Sequence, residues 1–175
     1  MIFRAFLLAC LTIACWTTRA SVIYNEVESN NDLATANLIA SHDGTIIIYG
    51  SRVNDGSADY FRFPVLAGDT LTASVCCYGD PMLALFDPSG NMVIANDDWY
   101  SLMPYISYAI PTSGLWTIAV TGYPDLGFSG GGSYGWTYQA TISMQRPASS
   151  EIPEPGTWGL LAGGLVGVLA LRRRR

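Results

Sequence analysis

Between residues 44 and 146, glycine and proline recur at short intervals, and the runs between them are rich in Val, Ile, Thr and aromatic residues. That is the composition of short strands separated by turns. The pattern predicts eight of them, over Thr45–Tyr49, Asp59–Val65, Thr70–Cys76, Met82–Phe86, Met92–Ala95, Tyr105–Ile110, Leu115–Thr121 and Tyr134–Met144. Alternation is clearest in the last. Tyr134, Trp136, Tyr138, Ala140, Ile142 and Met144 fall on one face, and Gly135, Thr137, Gln139, Thr141 and Ser143 on the other. No window of helical length carries a 3.6-residue apolar stripe. A sheet with one apolar face needs a second layer to cover it, so the expected fold is all-β, an antiparallel two-sheet sandwich of jelly-roll type. Asp87-Pro88-Ser89-Gly90 has the residues of a type I turn and should close a hairpin between the fourth and fifth strands.

Two apolar segments flank this body. Arg4 precedes the run from Ala5 to Trp16, and Thr18-Arg19-Ala20 offers a small-residue cleavage site, so residues 1–20 read as a signal peptide. The body then spans 21–146, with a short linker at 147–152. Cys10 and Cys15 would leave with the signal. Cys76 and Cys77 are adjacent on a strand, where side chains point to opposite faces, so no disulfide framework follows and one of the pair should be a small buried residue.

Charge narrows the function classes. Of 175 residues nine are Arg and none is Lys, and six of those arginines sit at the two ends. Residues 21–150 hold three Arg against twelve Asp and Glu. Nucleic-acid binding needs a basic face to displace counterions, so this composition excludes it.

The last 23 residues, Pro153 to Arg175, have three parts: Pro153-Glu154-Pro155, sixteen uncharged residues from Gly156 to Leu171, and four arginines. As a single transmembrane helix, 156–171 would span about 24 Å, slightly short of the hydrocarbon core, a gap that snorkelling arginines can close. The arginines should stay cytoplasmic, which puts the body on the exported side. This tail resembles the PEP-CTERM sorting signal of exported bacterial proteins. The resemblance implies an exosortase-type enzyme acting near Pro153, Glu154 and Pro155, an inner-membrane intermediate, and delivery to the cell surface or extracellular matrix of bacteria that make extracellular polysaccharide. A plain membrane anchor without processing is the alternative reading.

Directly after the signal, Glu26-Val-Glu28-Ser-Asn30-Asn31-Asp32 gathers six oxygen-bearing side chains. In extended chain Glu26, Glu28, Asn30 and Asp32 share a face, and carboxylates about 5 Å apart repel by about 3 kcal/mol per pair at an effective dielectric of about 20. A hard divalent cation would offset that repulsion, and oxygen donors suit calcium better than zinc. A solvated capping segment with no metal is the alternative. Asn54, Asp55 and Asp59 form a second oxygen-rich stretch, and Asp80, Asp87, Asp97 and Asp98 a third.

The body from about Asn25 to Met144 resembles the bacterial pre-peptidase C-terminal domain family. The resemblance rests on Glu28-Ser-Asn30-Asn31 with Ala34 and Ala36, Asp55 with Asp59-Tyr-Phe-Arg-Phe63, Gly68-Asp69-Thr-Leu71, Asp80 to Asp87, and Asn96-Asp97-Asp98. It implies a noncatalytic jelly-roll sandwich. The related collagen-binding modules hold calcium where the N-terminal linker meets the sheet. It also implies Glu26, Glu28, Asn30, Asn31, Asp55 and Asp59 as ligands, although the spacing of Asp55 and Asp59 departs from the family's closer pairing.

No catalytic constellation emerges. Gly131-Gly-Ser133-Tyr-Gly135 has the letters of a nucleophile elbow but enters a strand rather than a helix, and the single histidine, His42, lies upstream. Trp99, Tyr100, Tyr105, Tyr123 and Phe128 fall in or near loops, where rings stack on sugars or anchor a protein partner. The sequence therefore points to an exported, noncatalytic, calcium-stabilised sandwich that binds or scaffolds surface polysaccharide. The alternative is an accessory or partner-binding domain for a secreted protease or other exported protein.

Overall fold

The computed structural model describes residues 21–40, 44–54 and 56–147. The expected signal peptide, the Pro153-Glu154-Pro155 motif and the expected membrane helix lie outside the described residues, as do His42 and Asp55.

Ten strands are described: β1 (Ser21–Asn25), β2 (Asn37–Leu38), β3 (Thr45–Ser51), β4 (Asp59–Val65), β5 (Thr70–Cys77), β6 (Pro81–Phe86), β7 (Met92–Asn96), β8 (Tyr105–Ala109), β9 (Gly114–Gly122) and β10 (Thr137–Gln145). They form two five-stranded sheets, ordered β1-β3-β10-β5-β8 and β2-β4-β9-β6-β7. All eight expected strands are present. The two added ones correct the expectation of a purely antiparallel sandwich, because β1 pairs parallel to β3 and β2 parallel to β4. Both are edge strands contributed by the N-terminal segment, too short to announce themselves by alternation.

The two inner faces meet through alternate residues. Ile46, Ile48, Leu71, Val75, Tyr138, Ala140 and Ile142 come from the first sheet, and Phe61, Phe63, Leu83, Leu85, Trp116, Ile118 and Val120 from the second. The alternating face read along the last strand is buried from Trp136 to Met144, but Tyr134 is exposed and the strand begins at Thr137. Gly135, at φ +93°, turns the chain there, which explains the late start. In the Asp87–Gly90 turn, Gly90 N–H donates to the Asp87 carbonyl at 2.9 Å, and β6 and β7 pair as the expected hairpin.

The outer faces of the sheets differ. On the second sheet Tyr60, Met82, Ala84, Phe86 and Ala119 form a smaller apolar cluster, into which Phe128 inserts. The Tyr60 hydroxyl donates to the Phe128 carbonyl at 2.6 Å. β6 is therefore buried along its whole length, and its sequence PMLALF shows no alternation. Phe128, expected to be an exposed contact residue, is 1% exposed, a correction that follows from this second layer of packing. The first sheet's outer face carries Thr45, Thr72, Ser74, Thr141 and Ser143 with Ile23, Ile47 and Tyr49 among them, and no buried apolar cluster of described residues lies on it. Cys76 lies exposed on it, while Cys77 is half-buried against the core, and both thiols are free.

Candidate metal centre

The chain crosses from the first sheet to the second between β1 and β2, and this crossover brings the acidic residues together. β1 ends at Asn25, and Glu26 N–H still bonds the Tyr49 carbonyl of β3 at 3.0 Å. The crossover then docks on the second sheet, where Tyr60 N–H donates to the Asn30 carbonyl at 2.8 Å. Asn37 closes the segment by accepting from Val27 N–H at 2.9 Å and donating to the Val27 carbonyl at 2.8 Å. Asp59 is the first residue of β4, on the opposite sheet, and is fully buried.

One carboxylate oxygen each from Glu26, Glu28 and Asp59 lies within 4.8 Å of the others. Oxygens on opposite sides of a calcium ion at about 2.4 Å are about 4.8 Å apart, so the separation suits such an ion. Asn30 lies beside them. It is fully buried, its Nδ2 donates to Glu26 Oε1 at 3.2 Å, and its Oδ1 has no hydrogen-bond partner among the described residues. A buried amide oxygen without a partner is costly, and coordination of a cation would satisfy it. Glu26 is oriented from its other oxygen, which accepts Ser51 N–H at 2.8 Å. The Tyr138 hydroxyl donates to Asp59 Oδ2 at 2.8 Å, and the Ser57 hydroxyl reaches Asp59 Oδ1 at 3.5 Å.

The electrostatics follow from burial and crowding. Burial first, and the Glu26 charge second, push the Asp59 carboxyl up to about 8, with the Tyr138 hydroxyl and the Arg52 charge opposing. The Tyr138 phenol is driven well above its ordinary range by its own burial and then by Asp59 and Glu26. A cation held by these oxygens would compete with a proton for Asp59. The donor set is hard and all-oxygen, which fits calcium and does not fit zinc.

The expected ligands therefore part company. Glu26, Glu28 and Asp59 converge, Asn30 joins them through Glu26, Asn31 is exposed, and Asp55 lies outside the described residues. Asp32 is turn chemistry, because its Oδ1 accepts from Ala34 N–H, Thr35 N–H and the Thr35 hydroxyl, and these bonds hold its carboxyl below the usual range. Asp87 likewise caps its hairpin, accepting from Ser89 and Asn91 N–H, which removes it from the third acidic stretch. Ser133 donates its hydroxyl to the Asp80 carbonyl at 3.0 Å within a glycine-rich loop.

Arg52 is the residue near this centre that sequence reasoning missed. It is fully buried, donates to Thr121 Oγ1 at 3.0 Å and to the carbonyls of Gly56 and Gly131 at 2.7 and 2.8 Å, and stacks over Trp136 at 5.3 Å. It ties the approach to β4 to the loop before β10. Its only sequence signal is being one of three arginines in an acidic body.

The aromatic candidates scatter. Trp99 is 71% exposed and Tyr100 more so, on the turn between β7 and β8 that a Tyr100–Met103 bridge holds. Tyr105, half-buried, packs on Trp99 with ring centroids 5.5 Å apart. Tyr123 is exposed, and its N–H bonds the Asp80 carbonyl at 2.9 Å.

Residues 151–175 match the PEP-CTERM protein-sorting motif. The chain is thus an exported β-sandwich protein with a PEP-CTERM sorting signal, and that signal implies exosortase-type processing and membrane-anchored sorting. No curated protein sequence matches it. Among solved structures it is similar to Aeromonas hydrophila PliG, a periplasmic lysozyme inhibitor of g-type lysozyme, at 16% identity over 72% of this chain and 100% of that one, with a TM-score of 0.47. The pre-peptidase C-terminal domain of collagenase from Bacillus anthracis is similar at 18% identity over 63% of this chain and 94% of that one, TM-score 0.44. PliG of Salmonella Typhimurium is similar at 15% identity over 63% and 99%, TM-score 0.43.

Proposed function

We propose that this protein is a noncatalytic, calcium-stabilised β-sandwich that is sorted to the cell surface or extracellular matrix and there binds or scaffolds surface polysaccharide. The observation that carries the calcium reading is the convergence of Glu26, Glu28 and Asp59 beside Asn30, whose buried Oδ1 has no hydrogen-bond partner among the described residues. An ion there joins the crossover after β1 to the start of β4, and so fastens one sheet to the other. Extracellular modules work at about 10⁻⁴ to 10⁻³ M calcium. Calcium at about 100 times its dissociation constant, bound only by the folded form, adds about 2.7 kcal/mol, which raises the melting midpoint on the order of 10 °C in a domain of this size. Melting in millimolar calcium and in excess chelator tests this, and coincident midpoints would remove the metal from the reading.

A second reading is favoured by the Trp99–Tyr100 turn, which presents two exposed rings on a loop closed by a Tyr100–Met103 bridge. On that reading the sandwich is an accessory domain that docks on a secreted protease or other exported protein. Retention of one exported protein, lost in the Trp99→Ala, Tyr100→Ala double variant while polysaccharide retention is absent throughout, would favour it.

A further inference from the structure

The outer face of the first sheet holds a groove of about 630 Å³. Strand register places Asn25 opposite Tyr49, Tyr49 opposite Gln139, and Gln139 opposite Cys76. These four side chains form one row across β1, β3, β10 and β5. Ser51 and Thr137, also cross-strand partners, extend the lining, and Tyr78, fully exposed just beyond β5, forms its rim. Tyr49 is 46% exposed although it sits mid-sheet.

We propose that this groove is the carbohydrate site of the protein, and that it takes one or two rings of a neutral polysaccharide. The inference rests on the polysaccharide reading above and gives it a location and a ligand class. Its volume is that of a small-molecule site. Two phenol rings offer flat apolar faces to the C–H side of a sugar, and the amides of Asn25 and Gln139 with the hydroxyls of Ser51 and Thr137 offer donors and acceptors to its hydroxyls. Charge disfavours an acidic chain. Among the described residues no Arg or His lines the groove, its carboxylate is Glu26, and the body around it is acidic.

A peptide is disfavoured for a different reason. β3, β10 and β5 are interior strands, each paired on both sides, so the floor offers no free backbone ladder for strand addition. Recognition must run through side chains.

The test is isothermal titration of the folded protein, in millimolar calcium, with neutral glucan, galactan and mannan oligosaccharides and with an acidic oligogalacturonate. One neutral oligosaccharide should bind, and Tyr49→Ala, Tyr78→Ala and Gln139→Ala should each weaken it about tenfold or more. Tyr78 is fully exposed, so its variant keeps the fold, and unchanged melting midpoints verify this for all three. Binding of the acidic sugar alone, neutral binding indifferent to all three substitutions, or no binding by any member of the panel would overturn the proposal. The metal reading fails separately: glycan binding that depends on Tyr49, in a protein whose midpoint ignores calcium, leaves the groove standing and removes the ion.

Discussion

At position 50 one methyl group decides the geometry around Asp59. Gly50 faces Tyr138 across β3 and β10, and a Cβ there would lie 2.2 Å from the Tyr138 ring. The ring fills the space that any side chain would take, and from there its hydroxyl reaches Asp59. Gly50→Ala should displace the ring, cost about 1–3 kcal/mol as overpacking does, and weaken calcium binding together with the fold. A variant with wild-type midpoint and wild-type calcium response would show that Tyr138 positions nothing. Asp59 itself gives a prediction with a sign. Its ordinary value is 3.8 and its folded value about 8, so between these the folded state holds more protons than the unfolded one. In chelator, its contribution to stability is whole below about pH 4 and is lost as pH rises through about 8. Asp32 and Asp87, held low by their turn bonds, act in the opposite sense and only at more acidic pH. The chelated protein should therefore melt higher at pH 5 than at pH 8. Asp59→Asn should flatten that difference and abolish the calcium response. A chelated midpoint that climbs from pH 5 to pH 8 would contradict the assignment.

At the scale of elements, legibility followed covering. β10 has one wet and one dry face, so its period of two was readable from Trp136 to Met144. β6 is dry on both faces, and its position came from its length and flanking turns alone. β1 and β2 were invisible because an edge strand of two to five residues carries too little pattern. The crossover was legible as a cluster of oxygens, whereas the meeting of its Glu26 and Glu28 with Asp59 of β4 depends on where the chain bends between the sheets. The Tyr49–Gln139 groove was not legible at all, since it exists only through the register of non-sequential strands. Arg52 belongs at this scale too, because it fastens loops to strands. Arg52→Lys cannot span the carbonyls of Gly56 and Gly131 and Thr121 Oγ1 together, and leaving buried acceptors unmet should cost about 2–4 kcal/mol. Denaturant unfolding measures this, and a change below about 0.5 kcal/mol would mean that the arginine is dispensable.

Across the whole molecule, the sorting signal and the acidic charge bear on the proposed metal. The PEP-CTERM motif at 151–175 implies export of the body, and its crowded Glu26, Glu28 and Asp59 carboxylates are what the calcium proposal rests on. In the folded chain burial and the Glu26 charge favour the protonated form of Asp59, and on the proposed calcium reading an ion would take that proton's place. Titration of calcium into the chelator-stripped sandwich near pH 7, in two buffers of different ionisation enthalpy, measures this most directly. A calcium-stabilised sandwich should take up one ion at the Glu26–Glu28–Asp59 centre and release protons as it does so, and Asp59→Asn should abolish both. No calcium heat in the wild type, or uptake unchanged in Asp59→Asn, would contradict it.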